Sequence, residues 1–366
     1  MSGTFAKRLA DLRGVMARTG TDLVAIGPSS HMQWLAGLNP HGDERPVMLL
    51  VSAGYAGLLM PALNAASCRQ HTDLPFHEWR DAEGPEAALA GLLTACGAEG
   101  PGLSVVLDET MRADFALRLL GAMKAPGHRF TGDTVGALRA VKDDEEYRLL
   151  KASALLNDAA IAAGFDALVE GMRERDVAEV ILGHYAAHGA EPGFCAVAFG
   201  GNGAFPHHHT GDTVLTREMA VQIDAGCRLG GYPSDMTRCG WFGTPPGDYL
   251  RVADVVERAV RAALGAARPG VTGADVDRAA RAVIEEAGYG DHFPHRTGHG
   301  LGIDIHEPPY IAATNPAPLA EGNVFSIEPG IYFAGRYGIR LEDIVILRAD
   351  GPEILSAMPR DIVIRG

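Results

Sequence analysis

Four carboxylates in this chain sit where carboxylates are costly. Asp224 ends the apolar run MAVQID, Asp235 lies in GGYPSDMTRCGWF, Glu328 in VFSIEPGIYF and Glu342 in GIRLEDIVIL. Removing an ionised carboxylate from water costs several kcal/mol unless a positive group compensates it. Arg340 stands two residues from Glu342 and so on the same face of a strand, yet one guanidinium cannot balance four acids. Two divalent cations can. A buried salt-bridge network or a solvated hairpin is the other way to read either acid pair taken alone. Histidines gather near these acids in the sequence: His207, His208 and His209 follow Phe205-Pro206, and HRTGHGLGIDIHEPP carries His295, His299 and His306. One imidazole among oxygen ligands suits manganese, cobalt, iron or zinc better than copper or calcium. Within the triple run, at least two members read as solvated loop residues. The glycines beside His299 permit a close backbone approach such as a packed metal loop requires, or simply a turn. His41 and Asp43, in NPHGDERP, read as a surface loop.

The elements that must position these residues follow from periodicity. Alternation in MAVQIDAG predicts a strand ending at Asp224, with a partner strand returning through Asp235. VFSIEPGIYF and GIRLEDIVIL predict an equivalent pair across AGRYG. The resemblance between the two pairs extends upstream, which points to duplication. LTREMAVQIDAG (215–226) aligns without a gap on LAEGNVFSIEPG (319–330), setting Asp224 opposite Glu328. GMRERDVAEVILGHYAAHG matches GVTGADVDRAARAVIEEAG, each reading as one helix closed by glycine. Ahead of this repeat, Phe5, Leu9, Leu12 and Met16 mark a helix face. The apolar runs TDLVAIG, PVMLLV and LSVVLDE read as strands, and EAALAGLLTAC as helix. A long helix is predicted to start at 143–150 and continue through ALLNDAAIAAGFDALVEGM. Two domains are expected, 1–142 and 143–366, of mixed α/β (α+β) class.

With 366 residues, 47% hydrophobic and 21% charged, the chain has the composition of a globular protein with a sizeable core. Its formal net charge of −14 and lack of a basic run argue against nucleic acid or an anionic membrane as partner. Five scattered cysteines without a C-x-x-C pair indicate neither a disulfide framework nor a zinc ribbon, and fit a reducing cytoplasm. The first residues read as an amphipathic helix rather than a signal sequence, and no apolar stretch approaches membrane-spanning length.

Taken together, D-A-G-C-R-L-G-G-Y-P-S-D-M-T-R (224–238), H-R-T-G-H-G-L-G-I-D-I-H-E-P-P (295–309), S-I-E-P-G-I-Y (326–332) and G-I-R-L-E-D (338–343) resemble the pita-bread metallopeptidases, the group of prolidase, aminopeptidase P, methionine aminopeptidase and creatinase. The resemblance covers nearly the whole chain. It implies a creatinase-like N-terminal α/β domain followed by a pseudo-twofold pita-bread catalytic domain. The implied metal ligands are Asp224, Asp235, His299, Glu328 and Glu342, with Asp235 and Glu342 as bridges between two divalent ions, Mn2+ foremost and Co2+ or Zn2+ as alternatives. It further implies that His207, His295 and His306 hold substrate and stabilise the tetrahedral intermediate. Arg340 would lie beside the site as a substrate-binding residue, and Glu328 would double as the base. The implied reaction is Xaa-Pro hydrolysis of dipeptides or short peptides by a homodimer. Alternatives are hydrolysis of a non-peptide C–N or amide bond in a small metabolite, ectoine-hydrolase-like or creatinase-like, and a catalytically silent binding module. Cys239 and Val324 depart from residues common in the family. The segment YIAATNPAPLAEGN has no arginine, whereas some prolidases place a carboxylate-binding arginine there.

Overall fold

In the computed structural model, residues 3–40 and 42–366 are described; His41 lies outside them, while Asp43 accepts a hydrogen bond from the Arg45 backbone N–H at 2.8 Å within its loop. The chain divides into two compact units, Met1–Arg139 and Ala140–Gly366.

The first unit is a six-stranded mixed sheet formed by β1 (Leu23–Ile26), β2 (Met48–Val51), β3 (Ala56–Pro61), β4 (Phe76–Trp79), β5 (Ser104–Leu107) and β6 (Gly127–Phe130), in the order β4-β3-β2-β1-β5-β6. β1 and β2 pair antiparallel, whereas β1, β5 and β6 run parallel. Every residue of β1, β2 and β3 is buried, as continuous apolar runs demand when both sheet faces are covered. The helix Gly3–Thr19 buries Leu9, Leu12 and Met16, while Phe5 is half-buried at the edge of that stripe.

The second unit is a duplicated arrangement. Its opening helix, Asp144–Asp166, is started by a capping box in which the Asp143 carboxylate accepts from the Glu146 N–H at 2.9 Å and Glu146 accepts from the Asp143 N–H at 3.1 Å. The periodic pattern that suggested helix as far as Met172 is overruled at Asp166. Beyond it the chain pairs with a distant segment, Gly171 N–H donating to Leu215 O and Leu215 N–H to Met172 O. The second copy makes the same contacts: Gly270 N–H donates to Leu319 O, and Leu319 N–H to Val271 O. The helix Glu174–Ala187 packs on Asp144–Asp166, and Gly273–Glu286 packs on Gly247–Ala266.

Each helix pair covers one sheet. The first sheet has β7 (Glu191–Phe199), β8 (Met219–Leu229), β9 (Tyr232–Pro233), β10 (Met236–Phe242) and, from the chain's end, a strand Val363–Arg365 beside β10. The second runs β12-β11-β13-β16-β17, from β11 (Gly298–Gly300), β12 (Glu307–Ile311), β13 (Val324–Ile327), β16 (Asp343–Arg348) and β17 (Gly351–Ile354); β14 (Gly330–Phe333) and β15 (Tyr337–Arg340) form a separate hairpin. Strand alternation decides what faces the helices. Val221, Ile223 and Ala225 of β8 enter one core with Ile161, Phe165, Val177 and Ile181. Phe325 and Ile327 of β13 enter the other with Val256, Val276 and Ile284. Asp224, Ser326 and Glu328 therefore face the opposite side.

Candidate metal centre

Three of the four acids sit where their hairpins are interrupted. β13 pairs with β16 and β14 with β15 in one continuous register, Ile327 opposite Asp343 and Gly330 opposite Arg340, so Glu328 and Glu342 meet across the break between them. Asp235 likewise falls in the gap between β9 and β10, while Asp224 within β8 pairs with Thr237. Thus Asp235 and Glu342 precede their strands rather than lying inside them as the apolar runs suggested. An acid whose backbone leaves the ladder is free to aim both oxygens inward.

His299 arrives on a strand squeezed between two others. Gly300 pairs with both Glu307 of β12 and Phe325 of β13. A Cβ on Gly298 would strike the Ser326 carbonyl, and one on Gly300 the Glu307 carbonyl, so the glycines flanking His299 are required by close approach.

The resulting geometry is acid-rich and buried. Asp224, Asp235 and Glu342 bring oxygens within 4.8 Å of one another, as do the ligand atoms of His299, Glu328 and Glu342, and those of Asp235, His299 and His306. Glu342 belongs to the first two groups and Asp235 to the first and third. The Asp224 Oδ2 accepts from Arg340 Nη2 at 2.5 Å, but its buried Oδ1 has no hydrogen-bond partner. The His299 Nδ1–H donates to the Gly300 carbonyl at 3.1 Å, which leaves Nε2 unprotonated toward Asp235 at 3.5 Å and Glu328 at 3.3 Å. Burial pushes the His299 imidazole down to about 3, holding it neutral. Burial, then the neighbouring acids, push the carboxyls of Asp235 and Glu342 well up; burial alone does most to raise Glu328 to about 7.

Lone pairs converging on one space, an orphaned carboxylate oxygen and acids driven toward protonation all fit a cationic occupant. The donor set of carboxylate oxygens and one imidazole suits divalent ions of intermediate hardness. Cys195 also lines the surrounding cavity, but burial pushes its thiol up to about 12, so it stays protonated and is a poor ligand.

That cavity, of about 1100 Å³, is also lined by His207, His295, Arg296, His306 and Arg340. His207 and His306 are exposed on it, and the His306 ring lies 4.0 Å from that of His299, centroid to centroid. His295 is held by protein on both nitrogens, Nδ1 to Arg296 O at 2.8 Å and Nε2 to the Tyr332 hydroxyl at 2.8 Å. Burial lowers it to about 4, so neutral His295 donates from Nδ1 and accepts the Tyr332 proton at Nε2, while Arg340 Nη1 donates to that hydroxyl at 3.0 Å. The triple run divides by role: His208 reaches 2.9 Å to the buried Glu174, which also accepts from Phe199 N–H and Gly211 N–H and so fixes the loop that presents His207.

Several supporting residues escaped the sequence reading. Thr237 donates to Glu342 Oε2 at 2.7 Å and accepts from Arg340 Nε at 2.9 Å. The Ser326 hydroxyl donates to Glu328 at 2.9 Å and accepts from the His299 N–H at 2.9 Å. Both stand two residues from a site acid, and strand parity alone would have nominated them. Asp277, by contrast, accepts from Thr297 N–H and Oγ1 across a long sequence gap and carries no local signal. Among the described residues one other acid–histidine group occurs, His31, Asp108 and Glu109. There Asp108 already accepts from Gly27, Ser29 and Thr110, and His31 Nδ1 meets Arg139 at 2.9 Å, so protein donors occupy the positions a cation would take.

A duplicated helix-on-sheet unit with a buried acid–imidazole cradle between its hairpins is the architecture of a metal-dependent hydrolase. Residues 148–349 match the model for metallopeptidase family M24, and the chain belongs to that family. A probable dipeptidase PepE of Mycobacterium tuberculosis is 37% identical to it over 98% of this chain and 96% of that protein. The Xaa-Pro dipeptidase of Pyrococcus furiosus is 31% identical, over 98% and 99% respectively. The crystal structure of dipeptidase PepE from Mycobacterium ulcerans superposes with a TM-score of 0.93 at 34% identity, covering 99% of this chain and 98% of that one. The fold is the two-domain pita-bread fold, and the chain is a metallopeptidase relative of dipeptidases. No helix of the described residues is long and apolar enough to cross a membrane.

Proposed function

We propose that this chain is a dinuclear metal-dependent dipeptidase that cleaves the bond preceding proline. The observation that carries the dinuclear reading is the pair of ligand groups sharing Glu342, Asp224–Asp235–Glu342 and His299–Glu328–Glu342, with the unpartnered Asp224 Oδ1 in the first. Asp224, Asp235, His299, Glu328 and Glu342 would hold the two ions, Mn2+ being the favoured metal. When bound, two such ions would supply Lewis acidity, lowering the pKa of water and polarising the scissile carbonyl.

The chain's own groups do the rest. Glu328, oriented by Ser326, takes the proton from the attacking water and can return it to the departing nitrogen. His207 and His306 stand exposed on the wall, free to donate to the oxygen that becomes negative in the tetrahedral state. His295 acts one step removed, holding the Tyr332 hydroxyl and the Arg296 carbonyl in place. Arg340 holds Asp224 in an ion pair that fixes the orientation of its carboxylate. The dipeptidase and Xaa-Pro dipeptidase relatives support the substrate class.

The test is hydrolysis of Ala-Pro by purified protein. Chelation should abolish it, Mn2+ or Co2+ should restore it, and metal analysis should give two equivalents per chain. Glu328→Gln should lower kcat by about 10²- to 10⁴-fold. Activity indifferent to prolonged chelation and to that substitution would sink the mechanism.

A further inference from the structure

One buried ion pair of the second unit takes no part in the chemistry above. Lys142 Nζ donates to Glu307 Oε1 at 2.7 Å; the Lys142 side chain has no exposed surface and that of Glu307 has 6%. Taking both charges out of water is costly, and apolar residues of similar volume are often as stable in such a place, so stability alone gives little reason for the pair. What a charge-assisted bond supplies and apolar packing does not is a fixed geometry. Lys142 precedes the helix Asp144–Asp166, and its backbone is anchored at the entrance to β13: Lys142 N–H donates to Gly322 O at 2.9 Å, and Asn323 Nδ2 donates to Ala140 O at 2.9 Å.

Glu307 opens β12 at the end of the loop 301–306, and the loop is wound over its carboxylate. Glu307 Oε2 accepts from Asp304 N–H at 3.3 Å, Gly302 N–H donates to Asp304 O at 3.0 Å, and a Cβ on Gly302 would strike the Glu307 carboxylate. Arg228 ties the same loop from the first sheet, donating to Ile303 O at 2.7 Å. His306, the residue before Glu307, stands exposed on the cavity wall. Among the described residues its ring makes no hydrogen bond or ion pair and stacks against His299 alone. A side chain without polar partners of its own is aimed by its backbone, and Glu307 is where that backbone is clamped.

We propose that Lys142, acting through Glu307, is a positioning residue for His306: the buried pair holds the loop 301–306 in the arrangement that presents the imidazole to the cavity. Lys142 itself touches no substrate. What His306 does there rests on the peptidase reading above, whereas the hold of the pair on the loop does not.

The experiment combines Lys142→Met with Glu307→Leu, which removes both charges and leaves neither buried alone, so that denaturant unfolding should stay close to wild type. On Mn2+-loaded protein with wild-type metal content, kcat for Ala-Pro should fall about 10- to 100-fold with KM little changed, the cost of a misplaced group that acts on the tetrahedral state. Introduced into His306→Ala, the same pair of substitutions should cost less than about threefold, because no imidazole is left to misplace. Glu307→Gln, which keeps the shape and one acceptor, should show the same dependence on His306 with a smaller loss, and it serves if the double variant does not fold. Amide hydrogen exchange reads the loop without a substrate: Gly302 and Asp304 should exchange about tenfold faster or more in the variants, while β8 and β13 keep wild-type protection. Wild-type kcat in the folded variants, a loss of kcat undiminished in His306→Ala, or unchanged exchange at Gly302 and Asp304 overturns the proposal. A wild-type chain that cleaves neither Ala-Pro nor Ala-Leu removes the peptidase reading, and the exchange comparison then decides by itself whether the pair holds the loop.

Discussion

Glu328 holds its proton differently in the folded and unfolded chain. Burial raises its carboxyl from an ordinary 4.5 to about 7 when no cation faces it. Between those values the folded chain binds a proton that the unfolded chain has released, so this group's contribution to stability is complete below about pH 4.5 and is lost as pH rises through about 7. A divalent cation needs the carboxylate and must displace that proton, whereas His299, pushed down to about 3, has none to lose. Mn2+ titrations in two buffers of different ionisation enthalpy should therefore show more proton release at about pH 6 than at about pH 8.5, with Asp235 and Glu342 adding in the same direction. Equal release at both values would mean these acids are ionised before metal arrives.

At the scale of elements, the break between β15 and β16 is held open from behind by Arg238. This side chain is fully buried and donates to the carbonyls of Thr237, Glu342, Met358 and Pro359 and to Asp343 at 2.6 Å. The planar fork satisfies carbonyls of three separated segments at once, so the backbone of Glu342 is placed by a residue that touches no substrate. Lysine keeps the charge and loses the geometry. Arg238→Lys should destabilise the metal-free protein by about 3–5 kcal/mol, the usual cost of disrupting a buried charged network. It should also weaken Mn2+ binding through displacement of Glu342. Denaturant unfolding and metal titration of one preparation read both effects, and wild-type values in either would show that the break is fixed by other contacts.

For the whole molecule, the centre ties together the two copies of the duplicated unit. Asp224 and Asp235 come from the first copy, His299, Glu328 and Glu342 from the second, and Arg340 of the second copy bonds to Thr237 and Asp224 of the first. Cations bound there stabilise only the state in which both hairpins are aligned. With Mn2+ at about a thousand times its Kd the gain is roughly 4 kcal/mol, on the order of 8–16 °C in Tm for a unit of this size. Chelation should remove that increment and raise amide exchange in β8 and β13 together. Loosening confined to one hairpin would show that each half holds its acids independently.

How much of this could be read from the sequence depends on how local each cause is. Capping of the helix at Asp143, the strand parity that turns Asp224 and Glu328 away from the cores, and the paired segments 215–226 and 319–330 are short-range patterns, carried by residues close together in the chain. The charge imbalance, four acids in apolar runs with one arginine nearby, is likewise written in the sequence. β4 and β6 were not legible: Phe76–Trp79 and Gly127–Phe130 are short and partly polar, with no strand alternation to mark them. The helix end at Asp166 was decided by pairing with Leu215, which no local pattern records. Long-range packing put Asp235 and Glu342 in hairpin gaps and sent His208 to Glu174 while leaving His207 on the cavity. Those outcomes depend on which distant groups meet, and sequence spacing constrains residue types and faces but not partners.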